Sequence, residues 1–517
     1  MAVDDLRSGA PRRDVFTGLA ALAGLMLTPS FAKAQASAPA QPFSQDWLRG
    51  QARALAGAPY KAPPTGKSQL EGLTYDQYRM IRFNKARQLW GKEALPFRAE
   101  FFPPAFMYPR PVALFEVASG QARPIAYEAD FFTFPDGHKA SGENMGGFSG
   151  LRLLWPINRP NILDEIGVFQ GASYFRSLGK GNFYGASARG LAIGTGEPNE
   201  EFPVFDAFWI ERPTVGQDHV VVHALMNSPS LAGAYSFRIT PGQNTVYEVD
   251  AALYPRKSID KGGVAAMSSM YLFGLADRPD DHDFRTSVHD SDGLAMWTGR
   301  GERIWRPLAN PKSLRLSSFE DDSPRGFGLS QRERELEAYG DLEARYEKRP
   351  GIWVEPLDDW GPGRVHLVEI ATRKETDDNI AIFWRPITPW KAGQEVKLRY
   401  RLHFGDEPYP TQLARVRRTR AGDIIQEGAQ GGAEARMYTI DFEGIAPDAK
   451  GLYEDVEVEM EIRGGELIWR AVGPYPAPNA ARAAFGFKPT SREVELMLRL
   501  KRNGQFVSET WRHRWSA

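Results

Sequence analysis

From residue 100 onward the chain alternates. Tyr235, Phe237 and Ile239 are interleaved with Ser236, Arg238 and Thr240. Pro241-Gly242-Gln243-Asn244 then supplies turn residues, and Tyr247, Val249 and Ala251 alternate with Glu248 and Asp250. This period of two around a turn predicts a hairpin. Short alternating runs divided by Gly and Pro continue to about residue 385, which favours a large antiparallel sandwich over any βαβ design. Arg385-Pro386-Ile387-Thr388-Pro389-Trp390-Lys391-Ala392-Gly393 interrupts both periods and reads as a linker. Beyond it Val396, Leu398, Tyr400, Leu402 and Phe404 alternate with polar residues, as do Val456, Val458, Met460 and Ile462, predicting a smaller sandwich of immunoglobulin-like size. Helical signals are confined to the start. One helix is opened by Ser44 and a second by Thr74 with Gln77 in capping-box spacing, running to about Trp90 with Tyr78, Ile81 and Leu89 on its packed face.

The expected organisation is thus a leader over 1–36, a large sandwich over 37–385, a linker over 386–394 and a small sandwich over 395–517. The leader is read from Arg12-Arg13, an apolar run from Leu19 to Leu27, and the small-residue sites Ala32-Lys33-Ala34 and Ala34-Gln35-Ala36. The run is too short to span a bilayer, and the paired arginines point to the twin-arginine route for folded cargo.

Composition narrows the chemistry. With 64 Lys and Arg against 65 Asp and Glu, the chain has no basic footprint for nucleic acid. The absence of cysteine removes disulfides, thiolate catalysis and Cys-based zinc sites. The run from Gly171 to Gly179-Lys180 has the wrong spacing for a phosphate loop, and Gly181 stands where Ser or Thr belongs. There is no Gly-x-Ser-x-Gly elbow.

Three polar regions remain. Asp280, Asp281, His282 and Asp283 precede His289-Asp290-Ser291-Asp292-Gly293, which reads as turn residues, as carboxylates converging on a cleft, or as oxygen ligands for calcium, although the twelve-position calcium loop is not matched. Glu375-Thr376-Asp377-Asp378-Asn379 stands at the mouth of the apolar run Ile380-Ala381-Ile382-Phe383-Trp384. Between them lie Tyr346, Arg349, Trp353, Glu355, Asp359 and Trp360. Aromatic rings beside carboxylates suit a sugar site, since pyranose faces pack on rings while hydroxyls bond to acids and Arg.

The chain resembles the periplasmic glucans biosynthesis G/D family. The resemblance rests on Gly171-Ala172-Ser173-Tyr174-Phe175-Arg176, Gly185-Ala186-Ser187-Ala188-Arg189-Gly190, Val288-His289-Asp290-Ser291-Asp292-Gly293, Trp305-Arg306-Pro307-Leu308, Pro324-Arg325-Gly326-Phe327-Gly328 and Trp353-Val354-Glu355-Pro356-Leu357, and covers essentially the whole mature chain. It implies an all-β protein: a mutarotase-like antiparallel β-sandwich with a cleft, followed by an immunoglobulin-like β-sandwich. It further implies a periplasmic location and a β-1,2-linked glucan as ligand. No cofactor and no metal are implied, and a membrane glucosyltransferase of the same pathway is a further partner. By motif, Asp378 would be the general acid and Asp290 the base end, reaching water through a chain that includes Tyr346. Glu375 or burial would then hold Asp378 protonated. Arg349, Trp353, Glu355 and Asp292 would help bind the glucan. The leader resembles the D type and Leu294-Ala295-Met296-Trp297-Thr298-Gly299 the G type, so hydrolysis, transglycosylation and glucan-binding scaffold all stay open.

Overall fold

The computed structural model describes residues 39–62, 70, 72–134, 147–279, 283–406, 409, 411–424 and 435–517. The leader expected over 1–36 and the polar residues Asp280, Asp281 and His282 lie outside the described residues. The protein is nearly all β, built on a 16-stranded and a 10-stranded sheet with a further 4-stranded one.

The predicted hairpin forms as Leu231–Thr240 and Thr245–Pro255, with Ile239 opposite Tyr247, Phe237 opposite Val249 and Tyr235 opposite Ala251. Its inward side chains join a core shared by the two large sheets. Phe208, Phe237, Tyr247 and Leu402 of one sheet meet Leu151, Phe169, Phe175 and Ile382 of the other. The helix Gln45–Ala56, capped by Ser44, covers the outside of the larger sheet by seating Leu48 and Ala52 against Trp209, Ala234 and Tyr254. Among the described strands the pairing is antiparallel except where Val204–Glu211 meets Ala113–Ala118 and where Arg303–Pro307 meets Thr510–Ser516, and one isolated bridge, Ala414 to Ser508, is also parallel.

Two expectations need correction. The second helix has its capping box but stops at Met80, because Arg82–Phe83 leaves the helical path to pair with Phe132–Thr133. Tyr78, Ile81 and Leu89 nevertheless pack inward. The segment 386–394 does not separate two domains. Trp390 is buried and bridges Ile259, and the next strand, Val396–Gly405, lies inside the large sheet between Thr245–Pro255 and Gly351–Pro356. A strand with neighbours on both edges is a central strand, so the large sandwich closes only after Gly405. Prolines and glycine mark a turn between strands here as readily as a domain linker.

The small sandwich sets Arg415–Ile424, Ala435–Glu443, Ala480–Pro489 and Gly465–Pro474 against Thr510–Ser516, Glu493–Arg502 and Val456–Arg463. The last three strands continue the 16-stranded sheet, so the two sandwiches share a backbone ladder. No helix among the described residues is long and apolar enough to cross a membrane.

Candidate functional site

The site forms where Gly262–Ser269 and Ile380–Pro386 end side by side, with Ser269 opposite Ile380. Directly beyond, the chain turns into Tyr271–Phe273, which pairs with Val288–His289. This brings Asp290 and Asp378 together although 88 positions of numbering separate them. Asp290 donates its N–H to the Met270 carbonyl (2.8 Å), and the next residue, Ser291, is bonded to Ser269 (2.9 Å). Asp378 stands on the loop between Gly363–Glu369 and Ile380–Pro386. Its neighbour Asn379 fixes that loop: the buried side-chain amide accepts from Tyr271 N–H (2.9 Å) and donates to the carbonyls of Tyr271 (2.9 Å) and Ile370 (3.0 Å).

The two carboxylates differ in environment. Asp290 is 5% exposed, and its Oδ1 accepts from Arg349 Nη1 at 2.5 Å. Burial pushes its pKa up to about 6, partly opposed by the Arg349 cation and reinforced by the charge of Asp378. Asp378 keeps its side chain 39% exposed and faces Arg176 Nη2 at 3.5 Å. Burial, one of the two means expected to hold Asp378 protonated, falls instead on Asp290. The reason is local, since Asp290 sits on a strand end under the 336–349 loop, whereas Asp378 crowns a hairpin loop.

Tyr346 and Arg349 come from a short 3-10 turn, Tyr346–Lys348, entered through Arg345 in the left-handed region at φ 49°. Such backbone strain persists where surrounding structure over-determines it. The Arg349 guanidinium lies 4.6 Å over the Tyr346 ring and is steadied by the Ala344 carbonyl. The Tyr346 hydroxyl is raised in pKa chiefly by burial, with Glu375 and Asp290 adding to the shift and Arg349 and Arg285 opposing it, so it belongs to the same cluster. Glu375 is tied to Arg285 at 2.7 Å.

Asp292 stands behind this cluster. Its Oδ2 accepts the N–H groups of Arg332 (2.9 Å) and Glu333 (3.1 Å), and burial raises its pKa. It holds backbone and does not face the pair of carboxylates. Trp353 and Glu355 are placed elsewhere, which corrects their assignment to the cleft. Their neighbours Ile352 and Val354 point into the large core, so alternation sends Trp353 the other way, into the small-sandwich core, where it stacks on Tyr409 at 4.3 Å. Glu355 pairs with His403 (2.9 Å). Trp360 packs on Phe327, Trp384 and Tyr400, while Asp359 accepts from Gly361 N–H in a turn.

Sequence reading missed two cations, Arg176 and Arg285. Arg176 alternates with the core residue Phe175, and its Nε donates to Ser187 (2.6 Å). The signal was a charge within an aromatic strand motif. Two cavities of about 280 and 330 Å³ lie along Arg315–Asp321 where the sandwiches meet, and neither is lined by Asp290 or Asp378. The carboxylates gather at strand ends beside Arg349 and Arg176, so the chemistry and not cavity size marks the candidate site.

Fold and site together define a two-sandwich β protein carrying a paired-carboxylate, guanidinium-lined surface. The family model described as "Periplasmic glucan biosynthesis protein, MdoG" matches residues 43–515, and the chain belongs to that family. It is 45% identical to a glucans biosynthesis protein G of Rhodopseudomonas palustris (strain BisA53), covering 96% of this chain and 99% of the relative. It is 44% identical to that of Bradyrhizobium diazoefficiens, over 98% and 99%. A galactose mutarotase related enzyme from Lactobacillus acidophilus aligns with 47% of this chain and 99% of its own at 8% identity and a TM-score of 0.21, too slight a likeness to carry an argument. Membership assigns the protein a general role in periplasmic glucan biosynthesis.

Proposed function

We propose that the protein cleaves or transfers a β-1,2-linked glucan chain with inversion at the anomeric carbon. The observation that carries this is the convergence of a buried and an exposed carboxyl, Asp290 and Asp378, from distant segments onto one surface. In the proposed step Asp378 takes up a proton from solvent at its exposed face and gives it to the glycosidic oxygen as the bond to the anomeric carbon breaks. A water attacks that carbon from the opposite face, and its proton passes toward ionised Asp290 with Tyr346 in the relay. With a sugar hydroxyl in place of water the same movement is transfer, and an intramolecular hydroxyl closes a ring. A base with a pKa near 6 is matched to work around neutrality.

The test incubates wild type and Asp378→Asn with a linear β-1,2-glucan and follows products by chromatography and mass. Wild type yields shorter chains or rings, while the variant binds, stays folded and yields none. Full activity in Asp378→Asn refutes the assignment of the acid.

A second reading has its own support: each carboxylate already faces a guanidinium, Arg349 or Arg176, as in a binding surface for hydroxyls. A scaffold that presents nascent glucan from a membrane glucosyltransferase would bind the polymer and leave it unchanged. The proposed export route is the twin-arginine one, and replacing Arg12 and Arg13 by Lys should leave the protein in the cytoplasm.

A further inference from the structure

Phe284 is 78% and Leu342 75% exposed, on two loops that one cation knits to the site. Arg285 binds Asp283 (2.8 Å), Asp341 (3.1 Å) and Glu375 (2.7 Å), so the residues flanking Phe284 are fixed to the loop that carries Asp378. The Phe284 ring leans on Gly340, where an added Cβ would come within 3.6 Å. At the other end of the same 336–349 loop, Phe183 is 45% exposed. Its N–H bonds to the Lys348 carbonyl (2.9 Å), and Lys348 Nζ lies 5.2 Å from its ring. The two rings thus flank the loop that supplies Tyr346 and Arg349, each with charged hydrogen-bonding groups beside it.

We propose that Phe284 and Phe183 are platforms for glucose rings of the bound chain away from the Asp290–Asp378 pair, making the protein selective for long glucans over short ones. An exposed ring bordered by Arg, Asp and Glu matches a pyranose, whose C–H face is apolar and whose rim is hydroxyl. Beside Phe284 three carboxylates, Asp283, Asp341 and Glu375, share the single Arg285 cation, a charge balance that disfavours a phosphate backbone. The inference rests on the glucan reading above and extends the site it describes.

The experiment is calorimetric titration, in the Asp378→Asn background so that nothing is consumed, with a long linear β-1,2-glucan and with the β-1,2-linked disaccharide. Phe284→Ala and Phe183→Ala are each expected to weaken the long chain about two- to tenfold and leave the disaccharide unchanged. Phe506→Ala is the control: this ring is also exposed, at 43%, and lies under Arg499, but it belongs to the small sandwich. It should change neither. Unchanged long-chain affinity in both variants overturns the platforms and leaves the carboxylate pair intact. Equal loss for long chain and disaccharide overturns their remoteness. Failure of the parent protein to bind any β-1,2-glucan overturns the glucan reading and the platforms together, and a loss in Phe506→Ala as large as the others shows that exposed rings bind non-specifically.

Discussion

Of the paired site carboxyls, Asp290 is the one whose titration burial moves. An ordinary aspartate titrates near 3.9, and burial moves this one to about 6 in the folded protein. If ionised Asp290 is the base, kcat/KM on β-1,2-glucan should fall on the acid side with a midpoint near 6. Arg349 opposes the shift, so Arg349→Gln should move that midpoint to higher pH; a midpoint that moves down would show that another group governs the limb. The same shift links to stability. Between about 4 and 6 the folded protein holds a proton that the unfolded chain has lost, so this group's stabilising contribution is complete at the low end and disappears as pH rises through 6. Chemical denaturation of Asp290→Asn across that range should show a shallower slope than wild type, the remainder coming from Asp206 and Asp277, which burial also raises to about 6. The pattern His289-Asp290-Ser291-Asp292 stands out in the sequence as an acidic cluster, but its two aspartates face different ways. Asp290 meets Arg349, and Asp292 clamps the N–H groups of Arg332 and Glu333, a division set by distant segments.

At the scale of elements, the loop between Gly363–Glu369 and Ile380–Pro386 depends on Asn379. Asn379→Ala leaves Tyr271 N–H and two carbonyls without their partner in a buried place, which should cost about 2–4 kcal/mol of stability in denaturant titrations. Trp353 tests the corrected placement from the other side. Trp353→Ala should cost about 3–5 kcal/mol by emptying the junction beside Tyr409, while glucan binding by the folded variant stays within twofold of wild type. Larger loss of binding than of stability would return Trp353 to the site. Alternation revealed Trp353 as a strand residue beside a carboxylate, yet not which face of its strand meets solvent and which meets a second sandwich.

For the whole molecule, the shared sheet predicts one unfolding event. Thermal unfolding followed by far-UV circular dichroism and tryptophan fluorescence should give coincident transitions, since Arg303–Pro307 and Thr510–Ser516 pair across the two sandwiches. A fragment ending at residue 394 should fail to fold, because it removes Val396–Gly405 and strips both neighbouring strands of a ladder. By itself the sequence determined what depends on neighbours in the chain: the period-two strands, the Ser44 and Thr74 caps, the hairpin turn at Pro241-Gly242, and the residue types a sugar site needs. Tertiary structure decided what depends on contacts between distant segments. Strand order placed Val396–Gly405 in the large sheet, packing sent Trp353 into a core and left Phe284 in water, and the convergence of Arg349, Arg176 and Arg285 set the charge around the two carboxylates. The physical reason is that backbone periodicity is local, whereas burial and electrostatic fields are summed over everything that folding brings near.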